Sequence, residues 1–188
     1  MSIGLWVRGA RPKTLVTSIA SVMVGAVMAY VHIERSGTCI AIYPEPASCA
    51  TAREQQTLLM DRFWPVTILC LLVALFLQIA VNYANDYSDG IRGTDAGRDM
   101  DESKSGKPQR LTASGLVPAK HVLFAAMICA AIACICGVVA VVLAQAWWLL
   151  AVGAASLLAG WFYTGGKHPY GYVCLLYTSP SPRDRSVS

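Results

Sequence analysis

Four stretches of this chain, residues 14–31, 65–81, 122–144 and 147–163, contain no charged side chain. A helix that crosses a bilayer needs roughly 17–25 mostly apolar residues, because the hydrocarbon core offers no water to satisfy a free backbone amide. All four stretches are long enough, so the chain is predicted to be all-α, a polytopic transmembrane helical bundle. Composition agrees: 55% of residues are hydrophobic and 14% charged, against about 25% charged in soluble domains. Arg8, Arg11 and Lys13 precede the first stretch in the manner of a secretory signal. Its apolar length exceeds the roughly 7–15 residues of a signal's hydrophobic region, so it reads as a span.

Lys and Arg are retained on the cytoplasmic side of short membrane loops. With the N-terminus inside, the inner segments hold Arg8, Arg11 and Lys13, then Arg92, Arg98, Lys104, Lys107, Arg110 and Lys120, then Lys167. The outer loop holds only Arg35, Arg53 and Arg62. The N-terminus and the acid-rich loop after residue 81 are therefore expected to be cytoplasmic, in a prokaryotic plasma membrane. The net charge of +4 is accounted for by topology and calls for no nucleic-acid partner.

Cys70, Cys129, Cys134 and Cys136 lie within spans, where a small soft residue is ordinary. Cys39 and Cys49 share the outer loop and can pair if that compartment is oxidising. His32, His121 and His168 are scattered and suggest no histidine metal site.

Pro12 occupies a place that a first helical turn tolerates. Ser18, Ser21, Gly25 and Ala29 put small residues at helical spacing on the first span, which lets another helix approach closely. Residues 32–63 read as an outer loop in which Pro44 and Pro46 oppose a single long helix, with "TAREQQTLLMDRF" as a short amphipathic helix at the interface. The second span is expected to continue past Val81 until Gly90 and Gly93 end it, because Asn82, Asp86 and Asp89 fall at i, i+4 and i+7 and share one helical face. Residues 94–118 are polar and rich in Gly and Ser, and read as a cytoplasmic loop. The third and fourth spans are expected to form a hairpin around Gln145 and Ala146.

Asp99, Asp101 and Glu102 read as a solvated loop face. Asn82, Asp86 and Asp89 differ, since they continue directly from a span and gather negative charge where desolvation makes it expensive. Carboxylate and amide oxygens suit Mg²⁺, which is commonly held by one or two carboxylates together with substrate phosphates. Arg92, Lys107, Arg110 and Lys167 are available to neutralise phosphate oxygens. A cation channel would account for the acids and leave the bases without a purpose.

"NYANDYSDGIRGTD" resembles the first aspartate-rich motif of the UbiA superfamily of intramembrane prenyltransferases. With "ARPKTL", "PQRLTASGL" and "AGWFYTGGKHPYGY" in the same order and spacing, the chain resembles the branch that prenylates 1,4-dihydroxy-2-naphthoate, over roughly residues 5–172. The resemblance implies a bundle of about nine helices, of which this chain holds the first four, and a prenyl diphosphate bound through Mg²⁺ between two aspartate-rich motifs. It assigns Asn85, Asp86 and Asp89 to metal together with Asn82, which also touches substrate. Asp95 stands in for the motif's third acid, because Gly93 occupies that acid's usual place. Tyr163 and Lys167 match the family's tyrosine and basic pair, with His168 where arginine is common. Asp86, Asp89 and Lys167 are thus the expected catalytic residues, and Arg110, Tyr163 and Arg92 substrate contacts. Arg11 is either a substrate contact or a topology anchor. The implied reaction transfers a polyprenyl group from its diphosphate to 1,4-dihydroxy-2-naphthoate, with loss of CO₂, to give demethylmenaquinol.

The alternative is a prenyltransferase of the same superfamily with another aromatic acceptor; more distant rivals are a CDP-alcohol phosphotransferase, which "DGIRG" matches poorly, and a transporter or channel. Residues 173–188 read as a non-native tail: a transposase end joined to its sequencing adapter, translated in frame, gives residues 174–184 without a mismatch. The natural reading frame is therefore expected to have been cut near Tyr172. The 188-residue chain, lacking a second aspartate-rich motif, is expected to be inactive by itself.

Overall fold

The computed structural model describes residues 3–36, 46–92, 111–112, 115 and 117–164, without the side chains of residues 46–48, 92, 161, 163 and 164. The described residues form five helices and no strand: α1 (Ile3–Gly9), α2 (Pro12–Ser36), α3 (Pro46–Arg92), α4 (Ala119–Ala144) and α5 (Trp148–Thr164). The chain divides into two compact units, Met1–Trp147 and Trp148–Ser188.

Among the described residues three helices are long and apolar enough to cross a membrane: Pro12–Ser36, Cys49–Ile91 within α3, and Ala119–Ala144. These match the first three predicted spans. The fourth becomes α5, a helix of 17 residues; at 1.5 Å per residue it is about 26 Å long, slightly under a hydrocarbon core of about 30 Å. Within its own unit α5 is apolar throughout, and its one serine hydroxyl, Ser156 Oγ, donates back to Val152 O at 2.8 Å. The turn before it begins at Gln145, whose left-handed φ of 55° ends α4.

Helix α3 departs most from the expectation. It runs unbroken for 47 residues, about 70 Å at the standard rise and more than twice a hydrocarbon core. The outer segment expected to be loop and interfacial helix is continuous with the span. Pro46 opens the helix, at a position where a missing N–H costs nothing. The following residues "TAREQQTLLMDR" are mostly strong helix formers. Pro65, expected to begin the span, instead lies inside the helix and deletes one hydrogen bond of the ladder.

In the first unit α3 packs antiparallel against both α2 and α4, most extensively against α4. At one end, the Tyr30 and Phe63 rings meet edge to face at 5.6 Å, and Gln56 Nε2 donates to Glu34 O at 3.3 Å. Cys49, near the start of α3, is disulfide-bonded, to a partner outside the described residues. The small residues of α2 do not bring α3 into close contact: a side-chain carbon built at Gly25 would meet nothing within 4 Å. Gly25 and Ala29 instead line an apolar cavity of about 460 Å³. Ser18 and Ser21 spend their hydroxyls on carbonyls of their own helix.

The buried core lies at the opposite end, where Ala10, Tyr83, Leu111, Val117, Val122 and Ala126 cluster. Along the rest of α2, α3 and α4, large apolar side chains such as Val24, Met28, Ile68, Phe124 and Ile135 are exposed, as lipid-facing residues are. Gly9 is pressed into the core cluster. A Cβ there would stand 2.5 Å from Leu111 Cδ1 and 3.2 Å from Tyr83 Cε1. Leu111 is fully buried and has little freedom to yield, so Gly9→Val should destabilise the unit by about 1–3 kcal/mol. A thermal unfolding midpoint in detergent equal to that of the unmodified protein would contradict this packing.

Candidate functional site at the end of helix α3

The polar motif is helical from Asn82 to Arg92, as its spacing predicts, so Asn82, Asp86 and Asp89 do share one face of α3. Asn82 and Asp86 are buried, with 4% and 2% of their surface exposed, whereas Asn85 and Asp89 are half-buried. In a helix continuing from a span, buried polar groups must find partners or be strongly destabilising. Both find them within the protein.

Asn82 Nδ2 donates to Ala10 O at 2.7 Å and to Thr14 Oγ1 at 2.9 Å, and its Oδ1 accepts from Gln78 Nε2 at 3.3 Å. Both of its donors are therefore directed at the corner between α1 and α2. Arg11 turns that corner with φ of 52°, a left-handed conformation that costs a non-glycine residue roughly 1–2 kcal/mol. The Arg11 carbonyl accepts from Thr14 N and from Thr14 Oγ1, each at 2.9 Å. Tyr83 adds a second tie, donating from its hydroxyl to Trp6 O at 2.9 Å while its ring meets Trp6 edge on at 5.6 Å. The corner that carries Arg11 is thus held to the motif by two successive residues of α3. The Arg11 side chain is half-buried.

Asp86, one turn further along the same face of α3, reaches the segment that precedes α4. Its Oδ2 accepts the backbone N–H of Leu111 at 2.9 Å, and its Oδ1 that of Thr112 at 3.2 Å. The segment returning to α4 is fixed by these two bonds, by the fully buried Leu111 side chain, and by Val117 N donating to Leu111 O at 3.3 Å. Gly115 makes its turn with φ of 68°, in the region that favours glycine, and donates to Thr112 O at 3.1 Å. Thr112 Oγ1 is buried and has no hydrogen-bond partner among the described residues.

Asp95, Arg110, Lys167 and His168 lie outside the described residues, as do the side chains of Arg92 and Tyr163. Among the described residues no group of three or more His, Cys, Asp and Glu is gathered closely enough to hold a metal. What is present suits Mg²⁺ as one party to a shared site: the carboxylate of Asp89 and the amide of Asn85, half-buried and one turn apart on α3. Mg²⁺ keeps waters and takes substrate oxygens, so a complete protein cage is not required. Sequence reasoning did not find the Leu111 and Thr112 amides or the Ala10 carbonyl. They are backbone groups, and side-chain identities carry no direct mark of them.

These features define a multi-pass membrane protein with a polar site where its longest helix ends. The chain belongs to the UbiA prenyltransferase family, whose pattern it matches over residues 57–178, past the boundary expected near 172. That membership sets aside the phosphotransferase and transporter readings. Over 172 residues the chain is 40% identical to the 1,4-dihydroxy-2-naphthoate octaprenyltransferase of Mycobacterium tuberculosis, covering 92% of this chain and 47% of that protein. It is 36% identical to the Mycobacterium leprae protein of the same name, with 91% and 46% covered, and 28% identical to that of Escherichia coli, with 90% and 46% covered. The chain therefore spans about half the length of the curated relatives it matches. No solved structure matches it.

Replacing Asn82 with Ala would leave the Ala10 carbonyl without its side-chain donor, at a cost of roughly 1–3 kcal/mol. Asn82→Ala is expected to lower the unfolding midpoint of the detergent-solubilised protein, and an unchanged midpoint would argue against the clamp.

Proposed function

We propose that the full-length protein is a membrane prenyltransferase of menaquinone biosynthesis, transferring a polyprenyl group from its diphosphate to 1,4-dihydroxy-2-naphthoate. The observation that carries this reading is the half-buried Asn85 and Asp89 pair at the mouth of a membrane helix, in a chain 40% identical to a protein of that named activity. In the reaction the allylic C–O bond breaks and its electron pair leaves with the diphosphate. The electron-rich naphthalene carbon bearing the carboxylate then attacks the allylic cation. Loss of that carboxylate as CO₂ restores the aromatic ring and gives demethylmenaquinol.

Asn85 and Asp89, with Asp95 beyond the described residues, are the groups that would hold Mg²⁺, which supplies positive charge to the departing diphosphate. Arg11, Arg92, Arg110 and Lys167 are the candidate phosphate contacts, Arg in bidentate fashion and Lys as a point charge. The Asn82 and Tyr83 bonds place the Arg11 corner beside the motif in advance. Such preorganisation matters because donors already in place need no rearrangement as charge develops. The apolar faces of the helices keep water from the cation. Tyr163 is assigned to substrate on its sequence match alone.

In this reading, from the excess of Lys and Arg in their segments, the N-terminus and the motif lie on the cytoplasmic side, where charged diphosphate and naphthoate substrates are available. A Ser103→Cys reporter should then react with a membrane-impermeant maleimide only after the cells are permeabilised. Labelling in intact cells would reverse the topology.

For the chemistry, Asp89→Asn in the full-length protein is expected to reduce Mg²⁺-dependent prenyl transfer by about two orders of magnitude, the scale on which charge-stabilising groups act. Transfer of radiolabelled polyprenyl diphosphate in membranes is the measurement, and an undiminished rate would remove Asp89 from the site.

A further inference from the structure

We propose that Asp86 is a positioning residue: its carboxylate anchors the backbone at Leu111 and Thr112, fixing the return of the cytoplasmic loop against α3, and it does not ligate metal. This inference rests on the prenyltransferase reading and refines it. Each carboxylate oxygen accepts one of two successive N–H groups, at 2.9 and 3.2 Å. Only an ionised carboxylate offers two equivalent acceptors in that arrangement. An amide would accept one bond and oppose the second donor with its own N–H. Hydrogen bonds to an ionised acceptor are roughly twice as strong as neutral ones, and this pair sits where 2% of the residue is exposed. Mg²⁺ keeps several of its waters, and with 2% of Asp86 exposed a hydrated ion could reach the carboxylate only if the segment that buries Leu111 moved.

The anchor has a consequence for the site. Residues 93–110 leave from the last turn of α3 and must rejoin the chain at Leu111, whose amide Asp86 holds. Arg110 is one peptide bond from that amide. Asp86 thereby fixes the peptide bond at which the candidate phosphate-binding "PQR" segment ends. The unpartnered Thr112 hydroxyl lies on the same anchored turn.

The test compares Asp86→Asn with Asp89→Asn in the full-length protein in lipid nanodiscs. Amide hydrogen exchange of the peptide containing Leu111 and Thr112 is followed without Mg²⁺, and prenyl transfer is titrated with Mg²⁺. Asp86→Asn should speed exchange at these amides at least tenfold and lower kcat/KM for prenyl diphosphate, with the half-saturating Mg²⁺ concentration within twofold of the unmodified protein. Asp89→Asn should raise that concentration at least tenfold and leave the exchange unchanged. Unchanged exchange in Asp86→Asn, or a rise in its half-saturating Mg²⁺ matching that of Asp89→Asn, would overturn the proposal. If Asp89→Asn does not alter the Mg²⁺ dependence, the assignment of the metal site fails while the exchange data still judge the anchor. Thr112→Pro removes one of the two donors without touching the carboxylate and serves if Asp86→Asn does not accumulate. It should lower kcat/KM at least fivefold at unchanged half-saturating Mg²⁺, and an unaltered kcat/KM would count against the anchor.

Discussion

A helix that leaves the membrane carrying buried Asn82 and Asp86 must supply hydrogen-bond partners for both, and the end of the first unit is arranged around that requirement. Asn82 takes the carbonyl at the α1–α2 corner, and Asp86 takes the amides that precede α4. Two adjacent turns of one helix therefore hold two chain segments that are distant in sequence. Leu111, Val117 and Tyr83 fill the space between these ties.

In lipid the ties matter more than their number suggests. Apolar side chains gain little by leaving hydrocarbon for one another, so helix association there depends on close packing and hydrogen bonds. The exposed apolar residues along α2, α3 and α4 are at home in acyl chains and specify no particular neighbour. The polar bonds at the end of α3 do specify one, because an unsatisfied amide or carboxylate has no inexpensive alternative there. The same bonds bring the Arg11 corner and the loop return to the motif that the proposed chemistry uses, so fold and site share one set of contacts.

Much of this was legible in the residues. Uncharged stretches of sufficient length marked three spans, and the spacing of Asn82, Asp86 and Asp89 carried α3 through the motif to Arg92. The extension of α3 back to Pro46 was misread, because two prolines were weighed as breakers when Pro46 stands where proline starts a helix. The polar residues were legible as a shared face, but not as a divided one. Nothing in the spacing says which of these oxygens is turned toward a backbone amide.

The sequence by itself determined the class of fold and the place of the polar site, since length, lack of charge and helical period are properties of a segment that need no neighbour. The tertiary structure alone decided which polar groups of α3 are engaged. That depends on the Ala10 carbonyl and the Leu111 and Thr112 amides arriving from chain segments distant in sequence. Every residue but proline carries such backbone groups, so no side-chain pattern distinguishes the few that a buried carboxylate or amide will meet.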